Sequence, residues 1–448
     1  MLAAVTSSQA SVRLFCFVLC LVAFFLSWSV WSPGFMSPDS YHQWSQVRSG
    51  NYIDDHPTIM VLVWRMVHIF QDGPTGLFFL HLSVFWLSLL SLSLRLAPRL
   101  GLLSLTVFLV GLAPPIFGNL GAIWKDIGLG ISLLAALALV ATLLDRFSWR
   151  HFAFAVLFLV YAQNVRHNAP SAVFPFWVVL ALLVLRHFKK QTSLRSIGLL
   201  SLGMLVLGSV SYRAMEALVI KPERSFFVQN LLLHDLAALS ASRQRLLIPE
   251  AHRDPGCTLQ SLSETYSGDT RCYDPLFYGK NPLKRIPSKE ATASLARLWI
   301  REIAANPAAY LEHRWTFFVG TLGWSHAPCR AHQILHLQDP RAPTRRSLSI
   351  VNRVQKYFSW FEKCEIIFTP WIYLALSLAL FVLGLRSEPG ITRTLVLLSS
   401  SSGVLYFLPY FFVTVCCDFR YSWWTALSSL LAAIFYCSGF GRARADTP

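Results

Sequence analysis

The chain has 448 residues, of which 54% are hydrophobic and 14% are charged, and its formal net charge is +16. Soluble proteins contain about 25% charged residues, so the composition argues against an ordinary soluble domain. Nucleic acid is excluded as a partner, because no basic run is interleaved with stacking aromatic residues and no nucleic-acid-binding motif occurs. Many apolar runs approach the ~20 residues that cross a bilayer, which predicts an all-α polytopic membrane protein.

Ten transmembrane helices are predicted from these runs, near residues 12–31, 75–95, 100–118, 124–144, 151–164, 170–186, 196–214, 366–385, 394–414 and 422–438. The first run is longer than a signal-peptide core and lacks a small-residue cleavage site, which predicts a retained anchor. The polar stretch 215–365 predicts an extracytoplasmic domain inserted before the last three helices. The predicted domains are thus an N-terminal transmembrane module (1–214), this extracytoplasmic domain (215–365) and the C-terminal transmembrane helices (366–448).

The apolar segment 57–70 decides the predicted topology. As a helix it would reach about 21 Å, which is less than the ~30 Å hydrocarbon core, so we interpret it as an interfacial helix in the first outer loop. With the N-terminus inside, the inner loops contain thirteen Lys and Arg residues and the short outer loops contain five. Because cationic loops mark the cytoplasmic side, both termini are predicted to be cytoplasmic and the polar clusters to face outside.

Asp39, in the first outer loop, is a candidate general base. It follows Ser37 and Pro38. Ser37 can cap a helix with Pro38 in its first turn, and the helix dipole favours an acid at the next position. A carboxylate at a cleft mouth can also take a proton from a substrate or ligate a metal ion. The two roles are compatible.

A second acidic cluster, Asp54-Asp55-His56-Pro57, lies later in the same loop. Pro57 suits the first turn of a helix, and acids before it complement the helix dipole. One cap needs one side chain, so two acids and a histidine exceed that need and predict a functional role. Asp55 is the second candidate base, and Asp54 and His56 are candidate substrate-binding residues.

Lys125-Asp126 opens the fourth predicted helix. An exposed pair of this kind can neutralise itself at the water boundary at little cost. In the functional interpretation, Lys125 is a point charge for a phosphate group and Asp126 orients it. The sequence leaves both interpretations open.

Arg166-His167-Asn168 lies between the fifth and sixth predicted helices. Snorkelling of a long side chain to the interface accounts for Arg166 alone. Three consecutive polar residues between two apolar helices predict a ligand, and arginine binds phosphate through two parallel hydrogen bonds. All three are therefore candidate phosphate- or substrate-binding residues.

Arg420 is a further candidate cation before the last predicted helix, within Asp418-Phe419-Arg420-Tyr421. A local ion pair with Asp418 is one interpretation. A second positive charge near a bound phosphate is the other. The predicted topology puts this cluster on the same side as the three clusters above.

Two cysteine pairs lie in the predicted outer domain. An extracytoplasmic domain lies in an oxidising compartment, so Cys257 and Cys272 are a candidate disulfide. Cys329 and Cys364 are a second candidate pair. The cysteine and histidine spacings match no zinc motif.

Taken together, these clusters resemble the GT-C superfamily of membrane glycosyltransferases. The resemblance rests on an acid in the first outer loop (Asp39), on acid-His-Pro opening a membrane-associated helix (Asp55-His56-Pro57), on Lys125-Asp126, on Arg166 and on a late outer domain. It is closest to uncharacterised bacterial membrane proteins with WKD and RHN clusters and a late RY pair, and it covers roughly residues 12–215 and 366–430.

The resemblance implies transfer of a hexose or pentose from a polyprenyl-phosphate carrier to a hydroxyl of a glycolipid or cell-envelope polysaccharide such as lipopolysaccharide. Transfer would be inverting and would occur on the periplasmic face of a bacterial inner membrane. Lys125, Arg166 and Arg420 would stabilise the leaving phosphate, and Asp39, or Asp55 next, would deprotonate the acceptor. Some relatives need a divalent metal such as Mg or Mn, for which Asp39 and Asp55 are possible ligands.

A lipid or polysaccharide transporter or flippase is the main alternative, because it too would place charges among apolar helices. Transporters tend to have inverted repeats and charges at the membrane midplane. This sequence has no visible repeat, and its charges are predicted at one rim. Another lipid-linked transferase or ligase is a third possibility.

Overall fold

The protein is described from a computed structural model, in which residues 2–190, 192–268, 274–280, 282–324, 348–362 and 365–443 are described. All regular secondary structure in this part is helical, with isolated bridge pairs between extended segments. The helices of the N-terminal half are α1 (Leu2–Trp31), α2 (Pro38–Ser49), α3 (Ile59–His68), α4 (Thr75–Leu100), α5 (Thr106–Leu112), α6 (Pro114–Leu120), α7 (Lys125–Asp145), α8 (Trp149–Val165), α9 (Ala169–His187) and α10 (Leu194–Met215).

The helices that follow form the remaining half of the chain. They are α11 (Val228–Arg243), α12 (Leu259–Gly268), α13 (Asp274–Tyr278), α14 (Lys289–Ala305), α15 (Pro307–Leu322), α16 (Leu348–Glu362), α17 (Pro370–Arg386), α18 (Ile391–Phe407), α19 (Tyr410–Val413) and α20 (Trp423–Ala443).

Six helical runs among the described residues are long and apolar enough to cross a membrane. They are Gln9–Trp31, Thr75–Leu112, Lys125–Asp145, Ala169–His187, Leu194–Ile220 and Ile391–Val413. The chain is therefore a helical membrane protein. Helix α3 has ten residues and is about 15 Å long, too short to span.

The long run from Thr75 to Leu112 is two antiparallel helices rather than one. The chain turns at Gly101, whose φ of +55° lies in the left-handed region. After the turn, the Ser93 hydroxyl of α4 donates to the Ser104 carbonyl at 2.9 Å. Further on, Gly111 of α5 packs against Trp86 of α4. Later residues of α5 therefore contact earlier residues of α4, so the two helices run in opposite directions. The segment predicted as 100–118 thus lies beside α4.

Helix α7 is the centre of the bundle. It packs against α4, α8, α9, α18 and α20. Gly130 permits this packing on one side, because a Cβ there would lie 2.5 Å from the Trp423 ring of α20. Small residues let membrane helices approach closely, which matters where lipid supplies no hydrophobic driving force.

The two ends of α7 define the two ends of the bundle, called here the Lys125 end and the Asp145 end. At the Asp145 end, Arg95 pairs with Asp145, and Arg99 donates to the Thr392 hydroxyl at 3.5 Å. The Phe147 and His187 rings stack there with centroids 4.2 Å apart. Loops 95–99, 145–150, 186–195 and 386–393, all predicted on one side of the membrane, therefore meet at this end.

Helices α11–α15 contain a second hydrophobic core, separate from that of the bundle. Its buried members include Leu233, Leu236, Ala237, Leu262 and Leu295. This part of the chain contacts the Lys125 end at two places. Arg224 pairs with Asp54 at 2.9 Å, and Arg314 donates to the Thr414 carbonyl at 2.9 Å.

A buried ionic network holds the second of these contacts. Arg314 and Asp235 are both fully buried, and their closest nitrogen–oxygen distance is 2.5 Å. Trp299 and His313 complete the hydrogen bonding of the carboxylate, at 2.8 and 2.9 Å. A buried charge without such partners would cost several kcal/mol. The network therefore fixes Arg314 where it reaches the loop after α19.

The disulfides differ from the prediction. Cys257 is buried and its thiol is free, so it does not form the predicted bridge. Its predicted partner Cys272, and the second predicted pair Cys329 and Cys364, lie outside the described residues. Cys416 and Cys417 each take part in a disulfide bond, which the sequence analysis did not predict because they follow an apolar helix.

Thiol labelling tests whether the two ends lie on opposite sides of a membrane. In a Cys437→Ser background, which removes the exposed free thiol found among the described residues, we expect Tyr41→Cys and Arg146→Cys to react from opposite sides of sealed vesicles. Both positions are exposed, at opposite ends of the bundle. An impermeant maleimide should label one before permeabilisation and the other only after it. Labelling of both from the same side would contradict the fold.

Candidate functional site

A cavity of about 460 Å³ opens at the Lys125 end. Eight of the residues predicted as functional line it together: Asp39, Asp55, His56, Lys125, Arg166, His167, Asn168 and Arg420. They come from the first loop, the start of α7, the loop between α8 and α9, and the loop before α20. We call this space the main cavity.

The sequence around Asp39 builds one wall. The Ser37 and Ser40 hydroxyls form a capping box that starts α2, as the sequence predicted for Ser37. The same residues fasten α2 to the start of α7: the Trp124 indole donates to the Ser37 hydroxyl at 2.9 Å, and the Ser40 hydroxyl donates to the Ile123 carbonyl at 2.8 Å. Asp39 is thereby held beside Lys125.

Asp39 faces two other chain segments across the cavity. Its Oδ2 accepts from Arg420 Nη1 at 3.2 Å, and its Oδ1 lies 3.8 Å from His56 Nε2. Burial acts to raise the pKa of Asp39, but the neighbouring positive charges, led by Arg420, outweigh it and hold the pKa below its usual value. The side chain is 40% exposed, so Oδ1 can receive a substrate hydroxyl.

Asp55 has the opposite electrostatic balance. Its Oδ2 lies 2.9 Å from His42 Nδ1, and its Oδ1 accepts from the His56 backbone N–H at 2.8 Å. Burial outweighs the charge of His42 and raises the pKa of Asp55 above its usual value. Asp55 is thus the stronger base, but both of its oxygens already have partners.

His42, Asp55 and His56 could together hold a metal ion, because one ligand atom from each lies within 4.8 Å of the others. Asp39, predicted as a ligand together with Asp55, is not a member of this group. Two imidazoles and one carboxylate suit Mn or Zn better than Mg, which prefers oxygen. The donor set therefore fits a divalent transition metal.

His56 connects Lys125 to Asp39. Its Nδ1 accepts from the Lys125 ammonium at 2.6 Å, which assigns the ring proton to Nε2. Burial, followed by the charge of Lys125, holds the pKa of His56 well below its usual value, so the imidazole is neutral. Within the described residues, no carboxylate oxygen lies within 4 Å of Lys125, so this residue has no ion-pair partner in the cavity.

Asp126 partners Arg166 and not Lys125, contrary to the prediction. Its carboxylate is fully buried and forms an ion pair with Arg166, and Oδ1 also accepts from the Tyr406 hydroxyl at 3.2 Å. Adjacent residues on a helix point in different directions, so Lys125 enters the cavity while Asp126 points into the bundle. Asp126 positions a cavity residue without lining the cavity itself.

Aromatic rings separate the two guanidinium groups. Arg166 lies over Tyr410 and Tyr421, with its Cζ 5.5 and 5.1 Å from the ring centroids. Arg420 lies over Trp124 and the same Tyr421, at 4.8 and 5.3 Å. Each arrangement gains cation–π attraction. Tyr421 is therefore shared by both cations and holds them apart.

Arg420 has the local ion pair that the sequence suggested and a second one. Its Nε lies 3.2 Å from Asp418, and its Nη1 pairs with Asp39. Burial and these charges act on its pKa in opposite senses, and the charges prevail, so the pKa of Arg420 is raised and the guanidinium stays protonated. Both interpretations of Arg420 are therefore structurally compatible.

Asp54, predicted as substrate-binding, lies outside the main cavity. Its carboxylate accepts from the Ser225 backbone N–H at 2.6 Å and from Arg224 at 2.9 Å. Burial acts to raise the pKa of Asp54, but these two partners prevail and lower it. Asp54 therefore attaches the first loop to the chain that follows α10, a contact that no local sequence pattern signals.

His167 and Asn168 complete the predicted cluster. His167 lines the cavity, and burial, with Lys125 next, lowers its pKa to about 4, so it is neutral near pH 7. Asn168 precedes α9 and lines the cavity beside Tyr410. Both offer neutral polar groups next to Arg166.

Sequence reasoning missed one whole wall of the main cavity. This wall is formed by Pro409, Tyr410, Val413, Thr414, Val415 and Cys416, and Phe227 lies in another part of the lining. The segment reads as the end of an apolar helix, so only the disruption by Pro409 could have suggested it. The Arg314–Thr414 contact fastens this wall to α15.

No protein-family model, curated protein or solved structure matches this chain.

The main cavity combines groups that serve a transfer reaction. Cations on one side can stabilise negative charge that develops on a leaving group. Carboxylates within the same space can accept a proton from an attacking hydroxyl. Apolar and aromatic residues lower the local dielectric and strengthen both effects.

Two matched ion pairs test the role of Asp126. We expect Asp126→Asn to destabilise the protein by about 3–5 kcal/mol, because it leaves the buried Arg166 without a counter-charge. Asp145→Asn removes the partner of Arg95 at the other end, where the carboxylate is 48% exposed, and should cost about 0–1 kcal/mol. Unfolding in detergent, followed by circular dichroism, measures both. Equal losses would mean that the Asp126 pair is not a buried anchor.

Proposed function

We propose that this protein is a membrane glycosyltransferase that moves a sugar from a polyprenyl-phosphate carrier to a hydroxyl of a glycolipid or cell-envelope polysaccharide. The observation that carries the proposal is the meeting of two carboxylates and three cations in one membrane-end cavity. Lipid-linked sugar donors have an anionic leaving group, and their acceptors have a hydroxyl that must lose a proton. The cavity offers a partner for each.

Lys125 is the proposed principal phosphate contact. The sequence favoured Arg166, but Arg166 is already paired with the buried Asp126 and Arg420 with two acids. Within the part of the chain that the structure describes, the Lys125 side chain has a hydrogen bond with the neutral His56 and no ion pair. Arg166 and Arg420 would add long-range stabilisation as the carrier phosphate departs with both electrons of the glycosidic bond.

Asp39 is the proposed general base. Geometry is the first requirement for a base, and its pKa the second. Asp39 Oδ1 faces the cavity, and His56 Nε2 lies 3.8 Å from it, which is too far for a hydrogen bond. Both oxygens of Asp55, in contrast, are within hydrogen-bond distance of a partner. Asp39 would take the acceptor proton as the hydroxyl oxygen attacks the anomeric carbon from the face opposite the phosphate, which inverts that carbon. Asp55 remains the second candidate.

The metal is not assigned a step in this proposal. If one is bound, His42, Asp55 and His56 would hold it, and it would supply positive charge next to the carrier phosphate. Mn fits these ligands better than Mg. A neutral imidazole has one lone pair, so His56 would ligate the metal only by giving up the hydrogen bond that it accepts from Lys125.

We further propose ten membrane crossings with the main cavity on the non-cytoplasmic side. The helix pair α5–α6, the shorter helices α8 and α17, and the 21-residue helix α20 would add four crossings to the six long runs. The Asp145 end carries the cationic loops expected inside. Cys416, which lines the main cavity, is disulfide-bonded, and disulfides persist in oxidising compartments. By the resemblance in sequence, the membrane is a bacterial inner membrane.

A transporter or flippase is the alternative function. Such a protein would move the same lipids and would also need polar groups among helices. The position of the charged groups at one end of α7 argues for chemistry at a surface instead, because transporters bind their cargo near the midplane.

Reconstituted protein tests the proposal directly. Polyprenyl-phosphate sugars and candidate glycolipid acceptors are incubated with it, and products are followed by mass spectrometry. We expect transfer by the wild type and a loss of at least 100-fold in Asp39→Asn, since base catalysis contributes about 10²–10⁴-fold. Asp72→Asn, a similar change at a 79% exposed carboxylate, should leave the rate unchanged.

Substitution of Lys125 tests the phosphate assignment. We expect Lys125→Met to weaken binding of an isoprenyl monophosphate by about 10–100-fold, because a charged hydrogen bond contributes about 1.5–3 kcal/mol. Binding is measured by calorimetry, with Lys284→Met as the exposed control.

Normal turnover in Asp39→Asn would remove the base assignment, and lipid movement across liposomes without sugar transfer would favour the transporter.

The acid limb of the pH profile follows the pKa of Asp39. Ionised Asp39 is the active form, so kcat/KM falls as the pH drops through its pKa, which is lowered in the wild type. Arg420→Gln removes the main cause of this lowering and should shift the acid limb to higher pH. Arg301→Gln, at an exposed position, is the control. A lower rate with an unmoved acid limb would separate Arg420 from the base.

A further inference from the structure

A second cavity of about 180 Å³ lies beside the main one. Pro57, Arg166 and His167 line both spaces and form the partition between them. The lining on the far side comes mostly from α8, α10 and the turn that follows α10, through Gln163, Asn164, Ser209, Tyr212, Arg213 and Glu216. No role described above uses this space, which we call the side cavity.

Gly208 determines how the side cavity forms. A Cβ at this position would lie 2.4 Å from Gln163 Nε2. Without it, the Asn164 amide donates to the Gly208 carbonyl at 3.2 Å, and the Gln163 amide donates to the Leu205 carbonyl at 3.3 Å. Two amide side chains of α8 are therefore fixed against the backbone of α10, with the cavity beside them.

Each charged residue that lines the side cavity is paired with an opposite charge in the wall or behind it. Asp54 pairs with Arg224, Glu216 with Arg213, and Arg166 with Asp126. What remains for a ligand is the Asn164 amide oxygen, the Ser209 hydroxyl and the neutral His167, because the other amide groups and the Tyr212 hydroxyl already have partners in the walls. Phosphate needs uncompensated positive charge, whereas a sugar ring binds through neutral donors and acceptors. The side cavity therefore matches an uncharged, hydroxyl-rich group.

Helix α10 lines this space with Ser209 and Tyr212 and has exposed apolar residues on the same turns. Leu207 is 69% exposed there, and Val206 and Val210 are similarly exposed. An apolar face of this kind contacts lipid in a membrane protein. A lipid-anchored molecule can thus place its tail outside α10 while its polar head enters beside the partition.

We propose that the side cavity binds an uncharged glycosyl ring of a lipid-anchored substrate, next to the reaction space. The purpose of this binding rests on the proposed glycosyl transfer, whereas the binding itself does not depend on it. Either the donor or the acceptor could supply the ring, because both carry sugars on a lipid. Arg166 and His167 then contact both the bound ring and the main cavity.

A photoreactive residue tests binding without requiring turnover. Benzoylphenylalanine is introduced at Ser209, in the side cavity, or at the lipid-facing Leu207, in the full chain within its native membrane. After irradiation, we expect the Ser209 protein to carry sugar-containing lipid adducts and the Leu207 protein to carry phospholipid adducts. Identical phospholipid adducts, or none, at Ser209 would overturn the proposal. Sugar-lipid adducts with an inactive wild type would refute the transferase and keep the binding site.

Kinetics then identify the source of the ring. Ser209→Trp fills the side cavity, and we expect it to raise KM at least tenfold for one substrate only, the one whose sugar binds there. Ser209→Ala keeps the space open and should change KM less than threefold, and Leu207→Trp should change neither KM. Unchanged KM values in a folded Ser209→Trp protein, or equal increases for donor and acceptor, would overturn the proposal.

Discussion

The structure of the site depends on the ion pair between Arg166 and Asp126. Asp126 is fully buried in the central helix, and Arg166 comes from a loop two helices away. Neither charge would be tolerated alone at this depth, because desolvation of an unpaired ion costs several kcal/mol. The pair therefore joins α7 to the loop between α8 and α9. Because Lys125 precedes Asp126, the same attachment brings a second cation to the main cavity.

The three cations of the main cavity have different environments, and the differences suggest different roles. Arg420 lies between two acids, and Arg166 is paired with the buried Asp126. Lys125 is in contact with a neutral imidazole. Within the described residues, Lys125 is thus the cavity cation that has no ion-pair partner within 4 Å, while the guanidiniums set the field around it. Tyr421 contacts both guanidiniums and keeps the two positive charges apart.

The segment from the end of α10 to the end of α15 contributes to the site although it contains none of the predicted catalytic or substrate-binding residues. Through Arg224 it holds Asp54 in the first loop, and through Arg314 it holds Thr414 in the opposite wall. The same segment therefore fastens two walls that approach the main cavity from different parts of the sequence. A rigid frame matters here because catalytic groups must keep their spacing within a fraction of an ångström.

Much of the helix layout and the membership of the cavity could be predicted from hydropathy and charge alone. Apolar length sets which segments can span, and the cost of burying charge puts polar clusters at helix ends, so Asp39 and Arg166 could be expected at one end together. The partners could not be predicted. That Asp126 serves Arg166, that Asp54 turns away from the cavity, and that the wall after Pro409 closes it depend on side-chain directions and on contacts between distant residues. Tyr406 and Asp126, for example, are 280 positions apart. Periodicity carries no information about such contacts, because they are decided only when the helices pack against one another.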